Sequence, residues 1–491
     1  MNAVTVIKAP TVDAGSIPAD LFIGGTWKPS STGKRIKVFN PSTEELLATI
    51  ADAAVEDGIS AVDAAAAAAR DWAKTPPRRR AEILLKAYYL MVEKADWLAE
   101  LISLENGKAL ADAKGEVNYA AEFFRWYAEE AVRINGDISI APSGANRIIV
   151  QYQPVGIAVL VTPWNFPAAM ATRKIGPALA AGCTCILKPA TETPLTAFAM
   201  VDILAKAGVP NGVVNVITTS TPGPVISAML HDPRVRKLSF TGSTDVGRRL
   251  LREASDCVIN CSMELGGNAP FIVFEDADID AAIDGAMIAK MRNGGEACTA
   301  ANRFYIHRSI YDAFAQKLSA RMSAMTIGDG WLPGTACGPL VNEPSLKKVD
   351  GFVQDAVSRG AKVLTGGKAL DRKGYFYPPT VLTHVAKDSE LLHDEIFGPV
   401  AALVAFDTEE EVIALANDTE YGLVSYVFTQ NLARGLRVSE QLDAGMVALN
   451  RGLVSDPAAP FGGTKQSGLG REGAHHGLLE FTEAKYIATS W

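Results

Sequence analysis

The sequence predicts an α/β protein built around a parallel, doubly wound sheet. From residue 155 onward, short apolar runs typical of buried strands alternate with helical patterns, and a succession of βαβ units favours a parallel sheet. The chain has 491 residues, too many for one hydrophobic core, so two or three domains are expected. A stretch of strand-like sequence just before residue 155 indicates an additional β arm.

Helices are predicted first in the chain. An alanine-rich helix at 59–74 ends before Pro76-Pro77 because proline cannot continue a helix, and two more helices follow at 79–93 and 116–134. The parallel sheet comes next. Its predicted strands are 155–161, 184–187, 213–217 and 236–241, and its predicted helices are 168–181, 194–207, 222–230 and 243–254. A second α/β region begins near Gly266, with a strand at 270–274 and a helix at 279–291, and continues to about residue 442.

The predicted arm is a hairpin of strands 137–140 and 147–153 joined by Pro142-Ser143-Gly144, a typical turn sequence. The tail at 484–490 is also strand-like and is expected to join this hairpin. Such a strand arm outside the core can pair with another chain. We therefore expect a homodimer or homotetramer.

Composition excludes several classes of protein. The net charge of -8 is modest and the basic residues are scattered, so nucleic acid is not expected as a partner. Residues 1–20 lack the apolar stretch of a secretory signal, and the longest uncharged span, 148–172, is interrupted by prolines and polar residues. Six cysteines without paired spacing and six scattered histidines favour reduced thiols in the cytoplasm and no metal site.

Two features suggest a nucleotide ligand. Gly242 to Gly247 follows a predicted strand and opens a helix, where backbone N–H groups favour a pyrophosphate. Only two glycines of the usual G-x-G-x-x-G pattern are present, so an ordinary strand-to-helix turn explains this segment about as well as a nucleotide site does. Lys188 closes a strand at the edge where α/β sheets bind ligands, although a solvated lysine at a strand end is the simpler reading of that residue alone.

The chemistry centres on Cys298. Gly294-Gly295 and the small residues Ala297, Thr299 and Ala300 around it leave room for a substrate at the sulfur. No histidine stands in a context that would make a cysteine-protease dyad, so the thiol is expected to act with a cofactor. Glu264 supplies a carboxylate that can activate water, and Asn165 an amide that can hold an oxyanion. Alone, Cys298 would more often be a buried structural thiol, and Glu264 a surface or salt-bridged carboxylate.

Taken together, the motifs resemble the aldehyde dehydrogenase superfamily, from about residue 21 to the C-terminus and in the family's order. They are Pro163-Trp164-Asn165-Phe166-Pro167, Lys188-Pro189, Phe240-Thr241-Gly242-Ser243-Thr244, Glu264-Leu265-Gly266-Gly267, Cys298, Glu395-Ile396-Phe397-Gly398-Pro399 and Pro460-Phe461-Gly462-Gly463.

The resemblance implies a role for each site residue. Cys298 attacks the aldehyde carbon and becomes a thioester after hydride loss, Asn165 and the Cys298 backbone N–H hold the oxyanion, and Glu264, with its pKa raised by burial, activates water. Lys188 is counted with both the catalytic and the cofactor-binding residues. The other implied cofactor-binding residues are Thr162, Pro163, Trp164, Thr191, Gly242, Ser243, Val246, Leu265, Glu395 and Phe397.

The resemblance also implies the fold: a Rossmann-type dinucleotide-binding domain at 20–134 and 154–264, a catalytic domain at 265–460, and an oligomerisation arm at 135–153 and 475–491. Some relatives form a regulatory disulfide with a cysteine two places after the nucleophile. Position 300 is alanine here, so that switch is expected to be absent.

Within the superfamily, the segments 172–183, 452–455 and 466–473 are similar to succinate-semialdehyde dehydrogenases. That resemblance implies Arg173, Arg292 and Ser455 as ligands of the substrate's far carboxylate. Arg292 lies six residues before Cys298 and Arg173 eight after Asn165, so both guanidinium groups are placed to converge on one tunnel and select acids over neutral aldehydes. A structural ion pair is the alternative for either arginine alone.

Cofactor choice depends on Thr191, three residues after Lys188. NAD-specific relatives often carry a glutamate there, which repels a 2′-phosphate, whereas Thr191 is small and uncharged. NADP is therefore favoured, with NAD tolerated, unless Glu192 turns inward. The expected function is NAD(P)-dependent oxidation of succinate semialdehyde to succinate. The alternatives are oxidation of another carboxylated aldehyde such as glutarate semialdehyde, a coenzyme-A-acylating dehydrogenase, and a non-catalytic binding protein on the same fold.

Overall fold

The computed structural model describes residues 10–491 and has the predicted α/β architecture. Within that range no helix has the length and apolarity needed to cross a membrane. Part of the expectation about a signal sequence falls on residues 1–9, outside the described residues.

Short strands and long helices form the N-terminal part of the fold. They are β1 (Leu21–Ile23), β2 (Thr26–Lys28), β3 (Arg35–Phe39), β4 (Leu46–Ala51), α1 (Val55–Lys74), α2 (Pro77–Glu93), α3 (Ala95–Asn106) and α4 (Leu110–Glu130). Helix α1 begins where the Asp57 carboxylate accepts a hydrogen bond from the Ala54 backbone N–H at 2.9 Å, which satisfies one free donor of the first turn. The predicted helices correspond to α1, α2 and α4, whereas α3 and the four short strands were not predicted.

Two strands of the arm follow, β5 (Asp137–Ile140) and β6 (Arg147–Pro154), and then the alternating part of the first sheet. Its members are β7 (Ile157–Val161), α5 (Pro167–Ala181), β8 (Thr184–Lys188), α6 (Pro194–Ala207), β9 (Val214–Val216), α7 (Pro222–Leu230), β10 (Val235–Thr241), α8 (Thr244–Ser255) and β11 (Asn260–Glu264). All eight predicted elements of this region are present. Strands β7 to β11 pair in parallel because each crossover helix returns the chain to the same edge.

The second α/β region and the C-terminal tail complete the chain. They comprise β12 (Ala269–Val273), α9 (Ile279–Met291), β13 (Ala301–His307), α10 (Tyr311–Ser323), α11 (Glu343–Ser358), β14 (Lys362–Thr365), β15 (Thr380–Thr383), β16 (Val400–Phe406), α12 (Glu409–Asn417), β17 (Val424–Phe428), α13 (Leu432–Gln441), β18 (Met446–Leu449), β19 (Gly468–Leu469), α14 (Ala474–Leu479) and β20 (Thr482–Thr489).

Four sheets result from these strands. The first has the order β19-β11-β10-β7-β8-β9-β1-β2 and the second β14-β15-β16-β13-β12-β17-β18. The arm is the sheet β20-β6-β5, in which the tail strand pairs antiparallel with β6 along its whole length. Strands β3 and β4 form a separate pair. Strand β19 joins the first sheet although it lies outside the ranges predicted for the dinucleotide-binding domain, and those domain limits stay a prediction.

The largest apolar core packs helices α2 to α6 against one face of the first sheet, and two further clusters cover the faces of the second sheet. The carboxyl ends of β7, β8, β10 and β11 lie at one edge, which is where open α/β sheets bind ligands. The loop that carries Cys298 leads into β13 of the second sheet. Cys298 is thereby brought beside the loops that follow β7 and β10, and residues of all three segments line one cavity.

Candidate active site

A cavity of about 230 Å³ lies between the two sheets and contains the predicted nucleophile. Three of its walls come from segments far apart in sequence: the loop after β7, the turn after β10, and the segment around Glu395. The predicted site residues that line it are Pro163, Trp164, Asn165, Gly242, Ser243, Leu265, Cys298, Glu395 and Phe397.

The Cys298 loop is held in an unusual backbone shape. It follows a short 3₁₀ turn, Arg292–Gly295, in which Asn293 and Gly294 have φ of 54° and 59°, values that L side chains rarely adopt. Gly295 also has positive φ, and a Cβ there would lie 2.2 Å from the carbonyl oxygen of Gly398. Glycine at position 295 is thus required both for the backbone conformation and for the close approach of these two segments of the chain.

The Cys298 thiol keeps some exposure to the cavity but is surrounded by protein. Burial raises its pKa to about 12; the charge of Arg173 favours the thiolate, whereas Glu395 and Glu264 oppose it. Because the thiolate is the nucleophilic form, the arrangement needs removal of the proton before attack.

Asn165 is fixed through both its main chain and its side chain. Its carbonyl oxygen accepts hydrogen bonds from Lys108 Nζ at 2.6 Å and Asn293 Nδ2 at 3.0 Å. Its own Nδ2 donates to the carbonyl oxygen of Glu296 at 3.0 Å. An amide nitrogen carries two donors, so one N–H remains for an oxyanion beside Cys298.

Behind Asn165 lies a buried ion pair that the sequence analysis missed. Lys108 Nζ is 2.6 Å from Glu116 Oε2, and both side chains are fully buried. The other oxygen of Glu116 accepts the backbone N–H groups of Ala168 and Ala169 at 2.8 and 3.3 Å, at the start of α5. The pair therefore connects α4, the Asn165 loop and the N-terminus of α5. The two residues are eight positions apart, and no motif signals their contact.

Glu264 ends β11 and does not line the cavity, although its neighbours Leu265 and Gly266 do. Both of its carboxylate oxygens are buried and have no hydrogen-bond partner among residues 10–491. Burial raises its pKa well above the usual range, the charge of Glu472 raises it further, and Arg173 and Lys174 act in the opposite direction. The raised pKa makes the ionised form of Glu264 a stronger base, which takes a proton from water more readily.

Arg173 does not share a cavity with Arg292. It is buried on α5, forms an ion pair with Glu472, and lies with its guanidinium carbon 4.3 Å from the centre of the Phe461 ring. Lys174 contacts the same carboxylate. Arg173 thus makes the structural ion pair that was the alternative interpretation, and a part in substrate binding stays a prediction. Glu472 was not singled out, because its partners lie 298 or more residues away.

A second cavity, of about 470 Å³, contains the other two predicted carboxylate ligands. Arg292 Nη1 donates a hydrogen bond to Ser455 Oγ at 3.1 Å. The Arg292 guanidinium carbon is also 4.7 Å from the centre of the Phe166 ring, and Phe166 lines the Cys298 cavity. Phe166 therefore lines the cavity that holds the thiol and also contacts the positive charge of the other cavity.

A groove of about 770 Å³ along the edge of the first sheet contains most of the predicted cofactor residues: Thr162, Pro163, Trp164, Lys188, Gly242, Ser243 and Val246. Burial lowers the pKa of Lys188, and Glu192 opposes that shift. Thr191 does not line the groove, and its hydroxyl donates to the Glu192 carboxylate at 3.3 Å. A lysine ammonium, a serine hydroxyl and the N-terminus of α8 fit the phosphates of a dinucleotide.

Glu395 and Phe397 line the Cys298 cavity, which meets the groove at Trp164, Gly242 and Ser243. Glu395 accepts a hydrogen bond from the Gly267 backbone N–H at 3.0 Å, and burial raises its pKa to about 7. Phe397 packs edge-on against Trp164, with ring centres 5.3 Å apart. A carboxylate and an aromatic face at this junction fit a ribose and a planar ring. Among residues 10–491, no cluster of three His, Cys, Asp or Glu side chains is arranged to hold a metal.

Fold and site together define an oxidoreductase in which a cysteine nucleophile faces a dinucleotide-binding sheet. The model of the aldehyde dehydrogenase family matches residues 27–487, so the chain belongs to that family, as predicted. It is 52% identical to a succinate-semialdehyde dehydrogenase of Paenarthrobacter nicotinovorans, over 90% of this chain and 98% of that one. It is 47% identical to a glutarate-semialdehyde dehydrogenase of Pseudomonas putida, over 97% and 99%. The crystal structure of succinate-semialdehyde dehydrogenase from Burkholderia pseudomallei superposes with a TM-score of 0.96 at 45% identity, covering 99% of this chain and all of that one.

Proposed function

We propose that this chain oxidises succinate semialdehyde to succinate, using NADP in preference to NAD. The observation that supports this substrate is the pair of Arg292 and Ser455, hydrogen-bonded at 3.1 Å, with Arg292 in contact with Phe166, which lines the Cys298 cavity. A guanidinium group binds a carboxylate more strongly than any neutral end group. An aldehyde with a carboxylate at its far end therefore fits both cavities at once.

The proposed chemistry uses Cys298 and Asn165 of the first cavity and Glu264, whose neighbour Leu265 lines that cavity. The Cys298 thiolate attacks the aldehyde carbon, and the Asn165 amide with the Cys298 backbone N–H holds the oxygen that becomes negative. The nicotinamide, when bound, supplies the hydride acceptor. Glu264 takes a proton from water, whose oxygen attacks the thioester carbon; the carbon–sulfur bond breaks, and succinate and the free thiol result.

For the cofactor, we propose that Lys188, Ser243 and the start of α8 hold the phosphates. Glu395 binds the ribose next to the nicotinamide, and Phe397 with Trp164 flanks the ring. The remaining contacts are assigned to Thr162, Pro163, Gly242, Val246 and Leu265. The preference for NADP is supported by the uncharged Thr191 near Lys188 and by relatives such as the Escherichia coli succinate-semialdehyde dehydrogenase, 46% identical and named for NADP(+).

We further propose that the enzyme acts in the cytoplasm as a dimer or tetramer. All six cysteines are free thiols in the structure, which suits a reducing compartment. In the arm, Ile138 and Ile140 are exposed on β5, and an exposed apolar edge strand favours pairing with a second copy of the chain.

Steady-state rates with succinate semialdehyde, glutarate semialdehyde and the neutral four-carbon aldehyde butanal, each with NADP and NAD, test the proposal. We expect the highest kcat/KM for succinate semialdehyde with NADP. Arg292→Gln should lower that value at least tenfold while butanal is little affected, since a hydrogen bond to a charged group contributes about 1.5–3 kcal/mol. Arg321→Gln, which breaks an exposed ion pair with Asp284, is the matched control. A wild-type enzyme that prefers butanal would refute the carboxylate site.

Glutarate semialdehyde is the second candidate substrate because of the 47% identity to the Pseudomonas putida enzyme. It carries the same carboxylate one carbon farther from the aldehyde. The same assay distinguishes the two, since a higher kcat/KM for glutarate semialdehyde would assign the longer substrate.

A further inference from the structure

We propose that Tyr119 is a third ligand of the substrate carboxylate, its hydroxyl donating a hydrogen bond to the anion that Arg292 and Ser455 hold. The inference rests on the proposed function and adds a residue that determines its substrate specificity. The sequence analysis did not single out Tyr119, which lies in the middle of α4.

The position of the Tyr119 side chain points to this role. It lines the second cavity together with Arg292 and Ser455, and the Arg292 guanidinium carbon is 5.8 Å from the centre of its ring. The ring is fixed by edge-on packing against Phe123, with centres 4.8 Å apart. A rigid aromatic side chain places its hydroxyl with little loss of conformational freedom on binding.

The hydroxyl proton has no acceptor. The Tyr119 oxygen is buried, and no acceptor within residues 10–491 is in hydrogen-bonding geometry with it. Burial raises the pKa of Tyr119, whereas the charges of Arg173 and Arg292 and a side-chain contact from Arg173 lower it, so both guanidinium groups are near. Arginine only donates hydrogen bonds, so neither neighbour can accept the hydroxyl proton, and a buried polar group without a partner destabilises a fold.

A bound carboxylate supplies the hydrogen-bond acceptor that the Tyr119 hydroxyl lacks. It accepts up to about four hydrogen bonds, and those on offer here come from the Arg292 guanidinium, the Ser455 hydroxyl and the Tyr119 hydroxyl. A neutral aldehyde of the same length has no acceptor at that end. The hydroxyl is therefore expected to affect carboxylated substrates alone.

Tyr127 provides a matched control on the same helix. Its hydroxyl is also buried without a partner in the described chain, but it points at α14, where a Cβ on Gly477 would lie 2.2 Å from it. It lines neither the Cys298 cavity nor the Arg292 cavity. Tyr119→Phe and Tyr127→Phe thus remove the same atom from two similar settings, and only one of them faces the proposed carboxylate.

The test compares wild type, Tyr119→Phe and Tyr127→Phe with succinate semialdehyde and with butanal, and measures inhibition by succinate against succinate semialdehyde. We expect Tyr119→Phe to raise KM for succinate semialdehyde and the inhibition constant of succinate about tenfold, which corresponds to about 1.4 kcal/mol. Its kcat should stay within about twofold, since the lost contact is the same in ground and transition states. Its kcat/KM for butanal, and all constants of Tyr127→Phe, should stay at the wild-type values.

Two results would overturn the assignment: constants of Tyr119→Phe equal to wild type, or an equal loss with both substrates, which indicates a packing defect. Failure of the underlying function is seen separately, in the wild-type enzyme. If wild type does not prefer succinate semialdehyde to butanal, the carboxylate site itself is refuted before any variant is compared.

Discussion

Replacing Lys108 by methionine is expected to weaken both the fold and the reaction. The ammonium group is fully buried, 2.6 Å from Glu116 and 2.6 Å from the carbonyl oxygen of Asn165. Removing one partner of a buried ion pair leaves the other charge without compensation, which costs about 3–5 kcal/mol. We therefore expect a clear fall in the midpoint of urea unfolding.

The reaction should suffer because Asn165 loses one of the two hydrogen bonds to its carbonyl oxygen. The bond from Asn293 at 3.0 Å remains, so the loop shifts but is not released. A displacement of about 1 Å at a reacting group can lower the rate about a hundredfold, and we expect kcat to fall between about tenfold and a hundredfold.

The control is Lys114→Met, six residues further along the chain on α4, which breaks an ion pair with Asp96; the two side chains are 50% and 87% exposed. Exposed pairs contribute about 0–1 kcal/mol, so this variant should unfold near the wild-type midpoint with normal kcat. The double variant Lys108→Met/Glu116→Gln should recover much of the stability, because the buried charge is gone and the amide oxygen still accepts from Ala168. The reasoning is refuted if Lys108→Met is no less stable than Lys114→Met, or if its kcat equals that of wild type.

Three more predictions concern the thiol, the cofactor and the arm. Without cofactor, inactivation of the enzyme by iodoacetamide should accelerate about tenfold per pH unit from pH 7 to 10. A pKa of about 12 keeps Cys298 mostly protonated over this range, and only the thiolate reacts. An inactivation rate that levels off below pH 9 would contradict this prediction. Thr191→Glu should lower kcat/KM with NADP at least tenfold and leave NAD within about threefold, because the carboxylate repels the 2′-phosphate but not a hydroxyl; equal losses with both would argue against this position. Ile138→Lys, at a side chain 72% exposed on β5, should reduce the molar mass measured by light scattering, and an unchanged mass would place the subunit contact elsewhere.

The sequence predicted those parts of the fold whose pattern is local. Strand Ile157–Val161 is apolar throughout and Thr184–Lys188 is buried at every position, since both faces of a parallel sheet are covered, and proline marks the start of α5 and α6. Strands of two or three residues, such as Leu21–Ile23 and Gly468–Leu469, are too short to show a period. They exist because a neighbouring strand offers a free edge, and that neighbour is not visible in the local sequence.

The same distinction applies to the site. Cys298, Asn165 and Glu395 stand in motifs and could be singled out from their neighbours. Lys108 lies in the short connection between α3 and α4 and Tyr119 in the middle of α4, and neither belongs to a motif. Their burial and the charges that the fold places beside them make them notable. The ion pair of Arg173 with Glu472 joins residues so far apart in sequence that only the folded chain reveals it. Because Glu472 already holds the Arg173 guanidinium group, that group is less available to a substrate carboxylate.

The contact between Gly295 and Gly398 has a consequence for how this enzyme can diverge. The loop that bears the sulfur and the segment that follows Phe397 touch through main-chain atoms, with no side chain between them to absorb a change. A replacement that enlarges Gly295 must shift both stretches together, because its Cβ would lie 2.2 Å from the Gly398 carbonyl oxygen. A change that adapts the segment around Phe397 to a different cofactor therefore also moves the loop that carries Cys298. We expect cofactor preference and the position of the nucleophile to change together during evolution.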